Sequence, residues 1–201
     1  MFDLLMAITR LLKPHTVIEL GPCDGRHSVQ IAEHCEKLYS VEGREENVTD
    51  TRQAVAAHAG RVAEVAVVHS EIQSYLSTIA PSLPRIDLVW ARGVLYHFEN
   101  PCEVIESLGS LRERHHFPVI GWTHLAEHGN EQHEGRSGRW YDEDPEGSRL
   151  SSIGNARSFW LTPTAFTEAF HSAGFKNFAF LSEPTPHETN GGLVAYFVAG
   201  E

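Results

Sequence analysis

Short apolar runs alternate with helix-period segments along the whole chain. Leu4, Leu5, Ile8, Leu11 and Leu12 repeat at helical spacing with Pro14 just beyond them, which predicts an amphipathic opening helix packed on a sheet. The run that opens at Thr16 reads as a strand, residues 26–35 as a helix, 37–41 as a second strand and 48–58 as a second internal helix. Residues 65–69 are a third strand, after which Ser70 is placed to cap a helix and Gln73 to complete a capping box. Residues 86–91, apolar apart from Asp87, read as a buried central strand. Asn100 as cap, Pro101 at the first helical position and Glu103 at the third open the next helix. A fifth strand over 117–122 precedes a long polar stretch. Thr162 and Pro163 then start a helix that runs to Gly174, and 175–181 and 193–199 read as strands joined by a turn over 184–192. Strands alternating with helices predict an α/β domain with a mostly parallel sheet.

The first strand breaks into a turn bounded by Gly21 and Gly25, with Pro22, Cys23 and Asp24 between them. In an open α/β sheet, ligands bind at the carboxyl ends of the strands, and a glycine loop there lets a cofactor approach the backbone. The spacing is not the G-x-G-x-x-G dinucleotide fingerprint, and no Gly-Lys-Ser/Thr makes it a P-loop. The second strand ends in Glu42-Gly43-Arg44, about twenty residues after the first glycine. A carboxylate at that tip can accept hydrogen bonds from both hydroxyls of a ribose lying across the strand ends.

Glu19, Gly21 and Gly25, with Cys23 in place of the middle glycine, resemble motif I of the class I S-adenosylmethionine-dependent methyltransferases, and Glu42 stands in the matching register. A second likeness lies in residues 92–101, where many members carry a Leu-Tyr-His segment followed by a helix-opening Pro, here Leu95-Tyr96-His97 and Pro101. The Ser-Phe-Trp-Leu-Thr-Pro segment from Ser158 and the later Ala-Gly-Phe also look like the tail of small-molecule members, so the resemblance covers nearly the whole chain. It implies a Rossmann-like, seven-stranded, mostly parallel sheet with helices on both faces and a C-terminal antiparallel hairpin. It further implies S-adenosylmethionine as cofactor, with Ser70, Glu71 and Ile72 flanking the adenine and the loop carrying Arg92 and Gly93 beside the methionine part. Glu19, Gly21, Pro22, Cys23, Asp24, Gly25, Glu42 and Gly43 complete the expected cofactor site.

With 201 residues and 41% apolar content the chain suits one domain. Its formal charge of −11 disfavours a phosphate-backbone footprint and makes a small molecule or a protein the easier acceptor. Three cysteines, Cys23, Cys35 and Cys102, fit neither a paired disulfide framework nor a C-x-x-C site, which points to reduced thiols in a cytoplasmic protein. Asp3, Arg10 and the lack of a small-residue cleavage site argue against a signal peptide, and no apolar run reaches membrane-spanning length.

The polar stretch at about 124–160 is expected to form a lid or substrate-binding insertion. Trp140, Tyr141, Phe159 and Trp160 offer aromatic surface to cover an acceptor, and Arg136, Arg139, Arg149 and Arg157 are able to pair with an anionic group. The segment from His124 to His128 matches the H-x-x-E-H zinc motif in letters, but it follows a strand and meets Gly129 at once, so no metal site is expected. His97, in the loop after the fourth strand, and His124, at the tip of the fifth, are alternative candidates for a general base. The reading is therefore methyl transfer from S-adenosylmethionine to a small-molecule acceptor, with oxygen as the leading atom because amino-methylation signatures are missing. Three other readings stay open: a tRNA-modifying methyl or carboxymethyl transferase, a non-catalytic S-adenosylmethionine-binding domain, and a metal-dependent hydrolase built on the histidine-rich loop.

Overall fold

The computed structural model of the chain describes residues 2–58, 63–187 and 191–201. Its elements are α1 (Phe2–Leu12), β1 (Thr16–Leu20), α2 (Arg26–Ala32), β2 (Lys37–Glu42), α3 (Glu45–Ala57), β3 (Glu64–His69), α4 (Ile72–Thr78), β4 (Leu88–Arg92) and α5 (Pro101–His115). There follow β5 (Val119–Leu125), β6 (Glu131–His133), β7 (Arg136–Asp142), β8 (Arg157–Leu161), α6 (Pro163–Ser172), β9 (Asn177–Phe180), β10 (Thr185–Pro186) and β11 (Leu193–Gly200).

Seven positions make up the main sheet, in the order β3-β2-β1-β4-β5-β11 with β9 and β10 sharing the outer edge of β11. β1 to β5 pair in parallel, and β11 runs antiparallel to β5, as expected of a Rossmann-like sheet closed by a C-terminal hairpin. Because the chain winds outward from β1 through β2 to β3 and then returns to β4 on the other side, β1 and β4 flank the switch point where such sheets open a crevice. One apolar layer, built on Leu5, Met6, Ile31 and Trp90, joins α1 and α2 to one face of the sheet. The larger layer, with Tyr75, Leu108, Phe166 and Phe170, joins α4, α5 and α6 to the other.

Asp87 explains its own exception to the apolar run. It precedes β4, and its Oδ2 accepts from the backbone N–H groups of His15 (3.1 Å) and Thr16 (2.8 Å), so it fastens the start of β1 beside β4. The helix start at Asn100 is as the sequence implies, with Asn100 Oδ1 accepting from Cys102 N at 3.2 Å. Thr162 caps α6 in the same way through Ala165 N.

Four local expectations need correction. α2 stops at Ala32, not at residue 35. The capping box at Ser70 does not form: the helix begins at Ile72, so Glu71 holds the extended cap position, Ser70 Oγ donates to Glu71 O, and Gln73 Nε2 reaches Glu103 Oε2 on α5 at 2.8 Å. In α1 the buried face is Leu5, Met6 and Thr9, with Thr9 Oγ1 accepting from Trp90 Nε1, while Leu4, Leu11 and Leu12 face outward. The stretch after β5 is a three-stranded antiparallel sheet, β6-β7-β8, instead of an irregular loop. The hairpin turn over 184–192 contains β10, and its residues 188–190 lie outside the described residues.

Gly109, in the middle of α5, shows how closely the layers approach. A Cβ there would lie 2.1 Å from the carbonyl oxygen of Ala173, just past α6. Helix propensity alone favours Ala over Gly by about 1 kcal/mol. Gly109→Ala is nevertheless expected to destabilise the domain by about 1–3 kcal/mol through this overpacking, and urea unfolding showing a gain in stability would overturn the contact.

Candidate functional site

The turn after β1 is built from three residues in left-handed backbone conformation: Gly21 (φ 68°), Cys23 (φ 56°) and Gly25 (φ 73°). Cys23 thus keeps a conformation natural to glycine, at a cost of order 1–3 kcal/mol for a side-chain-bearing residue. Tertiary hydrogen bonds hold it there. Cys23 N–H donates to Glu42 Oε2 (3.2 Å), and Cys23 O accepts from Thr51 Oγ1 on α3 (3.2 Å). Gly21 N–H donates to Val41 O, which draws the turn across the end of β2.

Glu42 is 5% exposed, and its other oxygen accepts from Arg44 N–H at 2.9 Å. Glu19, 4% exposed near the end of β1, accepts at Oε2 from Ser28 Oγ (2.6 Å) on α2 and Ser40 Oγ (2.7 Å) on β2. Burial pushes the Glu19 carboxyl up to about 7, with the nearby Glu42 charge adding to the rise and the two serine hydroxyls opposing it. Both carboxylates line one cleft of about 590 Å³, within the usual range for small-molecule sites.

Gly21, Pro22, Cys23, Asp24, Gly43, Glu71, Ile72, Arg92 and Gly93 border the same cleft. Gly25 and Ser70 do not. Gly25 faces α3, where a Cβ would come 2.7 Å from Thr51 Cα, and the Ser70 hydroxyl is bound to the backbone of Glu71. His27, Asn47 and Trp122 also line the cleft, and no local pattern in the chain marks them. Asn47 is 4% exposed, and its Oδ1, like Trp122 Nε1, is buried with no hydrogen-bond partner among the described residues.

A strap between β7 and β8 roofs this cleft. The Arg44 guanidinium, next to Glu42, donates to the carbonyls of Pro145 (3.2 Å) and Ser152 (3.0 Å), and Asn47 Nδ2 donates to Arg149 O. Ile153 packs where a side chain on Gly43 would stand, 2.8 Å from its Cβ position. Glu143, whose side chain is 3% exposed, anchors the other end. Its Oε1 accepts from Ser158 Oγ and bonds His97 Nδ1 at 3.0 Å, and its Oε2 accepts from Ser151 Oγ and Ser152 N–H. Burial alone would raise the Glu143 carboxyl, but the hydrogen bonds from His97, Ser151 and Ser152 hold it down at about 2, so it stays ionised.

His97, on the short turn Leu95–His97, lines the cleft. His124 does not: in β5 its ring stacks on Trp160 (4.9 Å) and meets Tyr96 edge-on, and burial lowers it to about 4. The aromatic residues of the insertion are mostly its root. Phe159 and Trp160 are buried, and Tyr141 lies on Trp160 at 4.3 Å. Of the four arginines only Arg149 lines the cleft, pairing with Asp50 at 2.6 Å. Arg136 pairs with Glu168, while Arg139 and Arg157 lie over the Trp160 and Trp140 rings. The H-x-x-E-H letters span the end of β5 and a turn, and among the described residues no group of three or more His, Cys, Asp or Glu is placed to hold a metal ion.

A family model described as a methyltransferase domain matches residues 1–179. Among solved structures, the N-terminal domain of EvdMO1, crystallised in the presence of SAH and D-fucose, superposes with a TM-score of 0.76 at 20% identity, over 92% of this chain and 75% of that one. A SAM-dependent methyltransferase from Methanosarcina mazei gives 0.60 at 13% identity, over 98% and 96%. Magnesium protoporphyrin IX methyltransferase (ChlM) from Synechocystis PCC 6803 with bound SAM gives 0.59 at 15%, over 99% and 77%. These are similarities of fold. No curated protein matches the chain by sequence.

Glu19 generates a pH prediction. Its native carboxyl, near 7 against an ordinary value of 4.5, keeps a proton that the unfolded chain has already released. That stabilisation is complete below about 4.5 and is lost as pH rises through about 7. Unfolding free energy is therefore expected to fall by about 2–3 kcal/mol from pH 5 to pH 8 through this group. Glu19→Gln should flatten that slope in urea titrations, and an unaltered slope would refute the assignment.

Proposed function

This chain belongs to the methyltransferase domain family, and from that footing we propose that it transfers a methyl group to an oxygen atom of a small-molecule acceptor, with His97 as general base. It is an S-adenosylmethionine-dependent methyltransferase. When bound, S-adenosylmethionine supplies a methyl group on a sulfonium sulfur.

The cleft residues fit that cofactor. Asn47 Oδ1 and Trp122 Nε1 are buried polar atoms awaiting a partner, and the Glu42 oxygens retain lone pairs beyond the two backbone N–H groups they accept. In this reading Glu42 accepts from the ribose hydroxyls, and Glu71 and Ile72 flank the adenine. Glu19, Arg92, Gly93 and the backbone of Gly21–Asp24 surround the methionine part. The segment at about 124–160 serves as its lid within a single domain.

The observation that carries the acceptor reading is the His97–Glu143 bond. Ionised Glu143 can only accept, so in the neutral imidazole Nδ1 carries the hydrogen and Nε2 holds the lone pair that takes an incoming proton. The carboxylate then stabilises the imidazolium that forms. As the acceptor oxygen bonds the methyl carbon, its proton passes to Nε2 and the electron pair of the broken carbon–sulfur bond stays on sulfur. Positioning and exclusion of water by the strap account for most of the remaining rate gain. A hydroxyl-bearing small molecule accompanies SAH in the EvdMO1 crystals, which supports the same acceptor class. The excess of 27 acidic over 16 basic residues supports a small molecule over nucleic acid. Three free thiols support a cytoplasmic setting, and among the described residues no helix is long and apolar enough to cross a membrane.

Glu42→Ala should weaken binding of S-adenosylhomocysteine by about 1–3 kcal/mol in calorimetry, and unchanged affinity would remove Glu42 from the site. Once an acceptor is found by screening with methyl-labelled cofactor, His97→Ala should lower kcat by about 10²–10⁴-fold while cofactor affinity holds. Glu143→Gln should lower kcat in the same sense. Full turnover in the His97 variant would exclude it as the base.

A further inference from the structure

A second cavity, of about 260 Å³, lies beside the cofactor cleft and shares four wall residues with it: Tyr96, His97, Leu150 and Ser151. At ~30 Å³ per water it has room for roughly nine waters, the scale of one sugar ring. We propose that this cavity is the acceptor site and that it takes an uncharged or amine-bearing polyhydroxylated ring in preference to an anion. The assignment rests on the oxygen-transfer reading above and narrows it to a substrate class.

Position is the first argument. His97 stands in the partition between the two spaces, so a hydroxyl entering from the smaller one meets the ring whose Nδ1 is held by Glu143. Its oxygen gains the methyl group, its proton goes to His97 Nε2, and the carbon–sulfur pair remains with the departing thioether. Wall chemistry is the second argument. Asp142 and Asp144 add two acidic wall residues to the ionised Glu143, whose own oxygens are taken by His97, Ser151, Ser152 and Ser158; Ser148 also lines the space, and among the described residues no Lys or Arg does. Acceptor-rich walls favour ligand hydroxyl and ammonium donors through charge-assisted hydrogen bonds and repel phosphate or carboxylate. Tyr141, braced on Trp160 with ring planes 14° apart, adds a rigid aromatic wall for the C–H side of a sugar ring. Arg139 and Arg157 lie over the Trp160 and Trp140 rings and are not among the residues that line the cavity.

The test uses the full chain saturated with S-adenosylhomocysteine and four probes: methyl glucoside, glucosamine, glucose 6-phosphate and glucuronate. Saturation-transfer NMR is expected to detect the first two and not the last two, and labelled S-adenosylmethionine should methylate at least one of the first pair. Tyr141→Ala should weaken glucoside binding by about tenfold, or ~1.4 kcal/mol. Asp142→Asn with Asp144→Asn, both at exposed positions, should raise glucuronate binding relative to glucoside by about tenfold. Equal or tighter binding of the anions, no sugar binding at tens of millimolar, or an indifferent Tyr141 variant would overturn the proposal. Methylation of an anionic acceptor that depends on His97 would sink this assignment and leave the base reading standing. Glucoside binding in the cavity with full turnover by His97→Ala would do the reverse.

Discussion

The bond from the Cys23 amide to the Glu42 carboxylate is the constraint on which the site turns. It ties a left-handed residue in the turn after β1 to the tip of β2, so these two neighbouring strands present their ends as one surface. Glu42 stays in place because Arg44 N–H occupies its other oxygen and β2 holds it almost fully buried. Without those partners Cys23 would have little reason to keep a positive φ, and the turn would lose the shape that leaves backbone, not side chains, facing the cleft.

Glu19 and Glu42 are neighbours with different tasks. Glu19 holds two serine hydroxyls from α2 and β2, and burial raises its carboxyl to about 7. Glu42 accepts from the backbone N–H groups of Cys23 and Arg44. Two equally buried acids at strand ends thus clasp side-chain hydroxyls in one case and turn backbone in the other, and both line the cleft.

The insertion works through the same neighbourhood. Arg44, whose amide secures Glu42, uses its guanidinium to hold the strap carbonyls, and the strap in turn places Ser151 and Ser152 on Glu143, which fastens His97. A continuous set of hydrogen bonds thus runs from the β2 tip to the histidine ring. β8 anchors the assembly, because Phe159 and Trp160 are buried in the main domain and Phe159 N–H bonds Phe98 O.

Periodicity, glycine placement and the two strand-end acids are local properties, and they were enough to determine the α/β architecture, the turn after β1 and many of the residues that line the main cleft. They failed where a residue's meaning depends on a distant partner. Ser70 lost its cap because the helix began one residue later, and Gly25 serves packing against α3 instead of the cleft. His97 and His124 are equivalent as letters in the chain, and only tertiary packing separates them: one ring meets Glu143, 46 residues away, while the other is sealed among Tyr96, Trp122 and Trp160. Glu143 itself carries no pattern, since a carboxylate in a polar stretch becomes a buried anchor only when folding brings His97, Ser151 and Ser158 around it. Chain-local chemistry decided where the sheet opens; long-range hydrogen bonding decided which side chains meet there.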